Sequence, residues 1–408
     1  MSDVSDMNSA QGSGLADALA ALRTAVESRL IEVIEAHRRD WQDLGRAGAH
    51  MLDAAALALR GGKRMRAVLG GVGMSLPQGS PDPAARLAGP HSAHLGAALE
   101  FYQASALVHD DVMDGALTRR GLPAAHRAFA SKHAEGGWRG RAEDFGVSGA
   151  ILLGDLLLSL ACQEMSALSA PQGPARQGSG REGFPHAGAA LRARAAFDAM
   201  TAEVALGQFL DVRSEVTPLP LDQDPGRASA RMHHDALAVI RHKSARYSVQ
   251  HPLLIGALLA GMEPASRAAE LLGAFGEEIG IAFQLRDDEL GAFGDPRRTG
   301  KPAGDDLREG KRTVLLALTW GRTDDAGRAL LGEVLANREA GQDQIGAVAR
   351  MIEDCGARAA HEEAIATHRR AGERALEELR ALAGGRGVEP AALEELAHLA
   401  LRLTEREA

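Results

Sequence analysis

Cysteine is nearly absent. Cys162 and Cys355 are the only two in 408 residues, which excludes a disulfide framework and points to a reducing, cytoplasmic compartment. Aromatic residues make up only 3%, so the core must be built from aliphatic side chains and alanine. Runs of β-branched residues, the signal for strands, are missing. Ala and Leu dominate instead, and both favour helix, so the expected fold class is all-α. Basic charge is not in excess: the net charge of −9 argues against nucleic acid as a partner. No apolar stretch reaches about 18 uncharged residues, so no membrane span is expected. Met1 to Gly14 has no basic segment leading into an apolar one, so no signal peptide is expected.

A hydrophobic content of 45% is ordinary for a chain that buries a core. Residues 1–14 read as a disordered tail, and 15–408 as a single all-helical domain with flexible Gly-rich insertions at 131–148 and 170–188. Leu19, Leu22, Val26, Leu30, Val33 and Ile34 recur at helical spacing. Asp53 is a candidate cap for a helix over 54–60. Gly61-Gly62 then breaks that helix, and Lys63, Arg64 and Arg66 follow within four residues. Cations at a helix start oppose its dipole, a misfit that favours phosphate binding over mere surface charge.

The stretch that organises the rest is Leu107-Val108-His109-Asp110-Asp111-Val112-Met113-Asp114, followed by Arg119-Arg120-Gly121. On a helix, Asp110 and Asp114 share a face, where like charges repel unless a cation joins them. Oxygen ligands suit Mg²⁺, which takes one or two carboxylates plus waters and substrate phosphates. Arginine forks fit phosphate. Alone, this cluster reads equally well as a solvated helix end. A second cluster repeats it: Ala282-Phe283-Gln284-Leu285-Arg286-Asp287-Asp288-Glu289-Leu290-Gly291, then Gly300-Lys301 and, after Asp305-Asp306, Gly310-Lys311. Two acidic clusters trailed by basic residues suit helices that hold several Mg²⁺ ions and a diphosphate.

Taken together, these segments resemble the trans-isoprenyl diphosphate synthases of the polyprenyl synthetase family, most nearly the short-chain geranylgeranyl and farnesyl types. The matching segments, in the family's order, are 61–66, 107–114 with 119–121, Gly154-Asp155, Gly207-Gln208 with Asp211, Lys243-Ser244, and 283–311. The resemblance implies an isoprenoid synthase-type helical bundle around a central cavity. It implies a prenyltransferase that joins isopentenyl diphosphate to dimethylallyl, geranyl or farnesyl diphosphate. It further implies three Mg²⁺ ions with substrate bound, on Asp110, Asp111, Asp114, Asp287 and Asp288, and a homodimer. Carried onto this sequence, catalysis falls to Asp110, Asp114, Arg119, Lys243 and Asp287. Substrate binding falls to Lys63, Arg66, Gln103, Arg119, Arg120, Lys243, Ser244, Gln284, Lys301 and Lys311. His109 and Asp155 read as supporting residues rather than a general base. The family's usual fifth-position Asp in the second motif is Gly291 here, with Asp295 further on, which puts one metal contact in doubt.

Product length should be set on the helix before Asp110, where residues four, five, eight and nine back lie one and two turns deep. Ala106 and Ser105 are small, while Tyr102 and Phe101 are bulky. A floor two turns down predicts geranylgeranyl diphosphate as the main product, unless Phe101 and Tyr102 serve the core or a dimer interface instead. Two other readings share parts of this pattern. A class I terpene cyclase has an aspartate-rich motif but no use for a second diphosphate site, and a non-catalytic regulatory subunit has no use for an intact first motif.

Overall fold

The structure is a computed structural model that describes residues 3–79, 82–169, 185, 187–293, 304–337, 339–383 and 387–405, with side chains from Gly14 onward except Asp305. Helices α1 (Asp3–Asp40), α2 (Gly45–Ala58), α3 (Met65–Ser75), α4 (Pro83–Leu87) and α5 (Pro90–Met113) come first. A two-stranded hairpin follows, β1 (Thr118–Arg119) and β2 (Leu122–Pro123), then α6 (Ala125–Glu135), α7 (Ala142–Ala167), α8 (Ala187–Val216) and α9 (Pro225–Val239). A π-helical segment, Ile240–Gln250, leads into α10 (His251–Leu259) and α11 (Arg267–Phe293). The chain ends with α12 (Asp305–Glu309), α13 (Val314–Arg322), α14 (Asp325–Val334), α15 (Gln342–Asp354), α16 (Ala357–Ala383) and α17 (Pro390–Thr404).

These elements group into two compact units. One comprises 1–196, 252–269 and 382–395; the other comprises 197–251, 270–381 and 396–408. Neither is continuous in sequence, so no linker composition could have marked the division.

In the first unit α5 is central, with α7, α3 and α1 packed on it and α6 on α7. The stripe Leu19, Leu22, Val26, Leu30, Ile34 of α1 is buried as its spacing predicts. Glycines let helices touch backbone to backbone: a Cβ on Gly73 would sit 2.9 Å from the Leu253 carbonyl carbon, and one on Gly256 would sit 2.9 Å from that of Gly70. Among the described residues α7 is the one helix long and apolar enough to cross a membrane by length and composition, though Asp155 interrupts its apolar run. Here it serves as a core helix. Its buried Glu164 accepts hydrogen bonds from Arg29 (2.8 and 2.9 Å) and His94 (2.8 Å). Burial pushes that carboxyl up, but His94 and Arg29 outweigh it and hold it below the usual range.

In the second unit, Leu315, Leu316, Trp320, Leu331, Val334, Ile345, Val348 and Ile352 form one apolar cluster, and Ile240, Ala245, Ile281, Ala282, Leu285, Val314 and Ile365 another. The π-helical segment is clasped by glycines. Cβ atoms on Gly276 and Gly280 would lie 2.6 Å from Gln250 Cα and 2.9 Å from Ala245 Cα. Glu203 anchors the segment, accepting from His242 (2.6 Å), Arg246 (2.7 Å) and His251 (2.9 Å). Burial opposes its ionisation, yet these donors bring its pKa down to about 2.

Several local expectations change. Helix α1 starts at Asp3, within the stretch read as a tail. Asp53 caps nothing: α2 runs through it, and Arg38 takes its carboxylate at 2.9 Å. The segment 131–148 is largely helical, belonging to α6 up to Glu135 and to α7 from Ala142. Its Gly-rich turn is pinned by His133, Trp138 and Phe145, whose ring centroids lie 5.1 to 5.9 Å apart. Of the other insertion, 170–184 and 186 lie outside the described residues.

Candidate active site

Helix α5 delivers the first acidic motif at its C-terminal turn, with Asp114 as the cap. Carboxylates are unfavourable there, against the negative end of the dipole, so a compensating charge is required. Asp111 is buried at 2% exposure, Asp114 is buried, and Asp110 is half-buried. The hairpin supplies the compensation. Arg120 and Gly121 both have positive φ (53° and 76°) between the paired Arg119 and Leu122, the two-residue turn that suits strand twist. It folds Arg119 back so that Nε donates to Asp111 Oδ1 at 2.8 Å and Nη2 to Asp110 Oδ2 at 3.4 Å. Burial would lower the Arg119 pKa, but the hydrogen bond and charge of Asp111 outweigh it, so the guanidinium is held cationic.

Arg120, next in the same turn, points to the basic loop. Its Nη1 donates to the Arg60 carbonyl at 2.8 Å, and a Cβ on Gly62 would meet its guanidinium at 3.4 Å. Burial, then the nearby charge of Arg64, lowers its pKa. Gly61 (φ 70°), Gly62 (φ 95°) and Arg64 (φ 50°) bend the loop through left-handed backbone. Arg64 is buried and donates to the Leu59 carbonyl (2.7 Å) and to Glu100 (3.4 Å), which also accepts from Ala67 N (3.4 Å). Lys63 is exposed and Arg66 is buried. A small pocket is lined by Leu59, Arg64, Glu100, Gln103, Leu107 and Arg120, among others. It brings the candidates Gln103 and Arg120 together; Lys63 and Arg66 are not among its lining.

Along α5, Phe101 and Tyr102 are buried and Ala106 is half-buried. Ser105 Oγ donates to the Gly154 carbonyl (2.8 Å) on α7. His109 Nε2 donates to the Ile151 carbonyl at 3.1 Å and lies 3.5 Å from Asp155. A Cβ on Gly154 would overlap the His109 ring, so Gly154 is what admits the imidazole.

In the second unit, a Cβ on Gly207 would stand 2.7 Å from Lys243 Cα. That close approach puts the Lys243 ammonium in a salt bridge with Asp211, while Ser244 is half-buried. On α11, Asp287 and Asp288 are half-buried, and Gln284 Nε2 donates to Asp288 at 2.8 Å. Burial, reinforced by the charges of Asp306 and Asp287, raises Asp288 to about 8. Glu289 is buried and taken up by Arg286 and by Arg358 (2.9 Å), a structural carboxylate within the motif. Lys311 Nζ lies 2.8 Å from Glu309 and 3.8 Å from Asp306. Lys301 lies outside the described residues.

The donors in both motifs are carboxylate oxygens, the hard set that Mg²⁺ prefers. Among the described residues no three His, Cys, Asp or Glu side chains form a ready-made cage. Sequence reasoning missed Glu100, the partner of Arg64. A single buried Glu in a helix leaves no periodic signal, and its partner lies 36 positions away.

Comparison with known proteins follows this geometry. The polyprenyl synthetase family profile matches residues 50–352. The (2E,6E)-farnesyl diphosphate synthase of Mycobacterium tuberculosis is 35% identical over 274 residues, 66% of this chain and 63% of that protein. The matched stretch thus spans just under two thirds of that relative. The geranylgeranyl diphosphate synthase of Sulfolobus acidocaldarius is 28% identical over 72% of this chain and 73% of its own. A solved geranylgeranyl pyrophosphate synthase from Corynebacterium glutamicum, complexed with isoprenyl diphosphate and magnesium, is 32% identical. It superposes with a TM-score of 0.79, covering 95% of this chain and 99% of that one.

Proposed function

Because the chain belongs to the polyprenyl synthetase family, we propose that it condenses isopentenyl diphosphate with an allylic diphosphate, giving a short all-trans prenyl diphosphate. The observation that carries this reading is the Arg119–Arg120 turn. One arginine rests on the first acidic motif and its neighbour on the Gly61 loop, so adjacent residues join a metal-type site to an anion-type site. Joining two diphosphates requires that adjacency, whereas a cyclase has no second diphosphate to hold.

In this reading Asp110, Asp114 and Asp287 would hold Mg²⁺, with Asp111 and Asp288 supporting those ligands, and the bound ion would supply neutralising charge to a leaving diphosphate. Arg119, Lys243, Lys301 and Lys311 add fixed positive charge where it develops, and Ser244 and Gln284 line the same allylic group. Asp111 and Asp211 hold Arg119 and Lys243 in place before substrate arrives. Lys63, Arg66, Gln103 and Arg120 bind isopentenyl diphosphate. The proton lost from the new bond leaves with diphosphate, so His109, already committed to Ile151, serves as a support. The buried pair Phe101 and Tyr102 supports a floor two turns below Asp110 and geranylgeranyl diphosphate as product. Exposed Phe145, Ile151 and Leu152 on α7 support a homodimer, and two cysteines, Cys162 and Cys355, that form no disulfide among the described residues support a reducing, cytoplasmic compartment.

The test is the purified chain alone with isopentenyl and allylic diphosphates and Mg²⁺. Elongated diphosphates, mainly C20, are expected. Cyclised hydrocarbon would replace this reading with the cyclase, and silence would replace it with a partner subunit.

A further inference from the structure

We propose that Asp306 is the missing third carboxylate of the second acidic motif, standing in the space that a side chain on residue 291 would need. The inference rests on the function proposed above and deepens its metal site. Gly291 lies four residues after Asp287 on α11, on the same helix face. Its φ is not positive, so the backbone does not call for glycine, which weakens a helix interior. What calls for it is occupancy: an ideal Cβ there would overlap Asp306 Oδ2 and lie 2.8 Å from Asp306 Cγ. Asp306 is brought there by α12, whose entry is tied to α11 by the Gly304 N–H donating to the Gly291 carbonyl at 3.3 Å. Lys311 N donates to the Asp306 carbonyl at 3.0 Å, and Lys311 Nζ sits 3.8 Å from its Oδ1, so a cation already attends this carboxylate. A carboxylate lost from the helix is thereby returned to the same face from a different element. The ligand class is a hydrated hard divalent cation carrying diphosphate.

The experiment is calorimetric titration of the full chain with Mn²⁺ in the presence of inorganic diphosphate, with melting temperature recorded for every variant. Asp306→Asn, nearly isosteric, is expected to weaken diphosphate-dependent Mn²⁺ binding about tenfold. Asp306→Ala combined with Gly291→Asp is expected to recover most of what Asp306→Ala loses. If Asp306 serves only to hold Lys311, a carboxylate on residue 291 restores nothing, and the proposal is overturned. Wild-type affinity in Asp306→Asn, with affinity lost in Asp287→Asn, likewise overturns it while leaving the proposed function standing. No diphosphate-dependent binding in the wild-type chain would overturn both.

Discussion

Arg119 bonds both Asp111 and Asp110, and that sharing sets what substitutions there do. Lysine keeps the charge but not the fork, so Arg119→Lys should lower kcat by about tenfold or more, read from steady-state kinetics. Asp110→Ala removes a carboxylate that nothing nearby replaces and should cost at least about a thousandfold in turnover, roughly 4 kcal/mol. Near-normal rates would remove the first motif from the reaction. Gly154→Ala is a stability test, because the added methyl lands on the His109 ring. Overpacking of this kind costs about 1–3 kcal/mol, visible as a lower melting temperature. Residues of this kind stand out in a sequence when their chemistry repeats at helical spacing, as with Asp110 and Asp114. They were illegible when their role is to leave room, as with Gly154 and Gly291.

Elements were easier to read than their joints. Helices α5 and α11 run through the two acidic motifs. Helix α9 starts at Pro225, where Asp224 accepts from Arg227 N at 2.8 Å. The Gly-rich stretch between α6 and α7 looked like a long loop because the aromatic packing that holds it short is not a sequence-local property. Two predictions belong to this scale. Glu100 ties α5 to the basic loop through Arg64 and Ala67, so Glu100→Gln should raise KM for isopentenyl diphosphate severalfold with a smaller change in kcat. Glu203 joins α8 to the π-helical segment with its pKa depressed to about 2. A depressed carboxylate stabilises the fold above its ordinary pKa, and that contribution fades as pH falls from about 4.5 toward 2. Glu203→Gln should therefore be less stable at pH 7 and show a flatter loss of stability over that acid window, measured by urea unfolding at stepped pH.

For the whole molecule, product length is the property most exposed to test. Phe101→Ala with Tyr102→Ala should shift products beyond C20, resolved by chromatography, and unchanged length would place the floor elsewhere. All-helical architecture was visible from composition, because few β-branched runs compete with Ala and Leu. The division into two units was not, since each draws on distant parts of the chain. The strand-like contact near the end of the first unit shows what that costs. Leu76, Pro77 and Gln78 pair with Gly387, Val388 and Glu389, and Gln78 Nε2 reaches the Val388 carbonyl across 310 positions at 3.0 Å. At ribosomal speeds of about 5–20 residues per second the later partner emerges roughly 15–60 s after the earlier one. The nascent chain must therefore hold that edge open until residues 387–389 have been made, and a stop anywhere before residue 387 would leave it open for good.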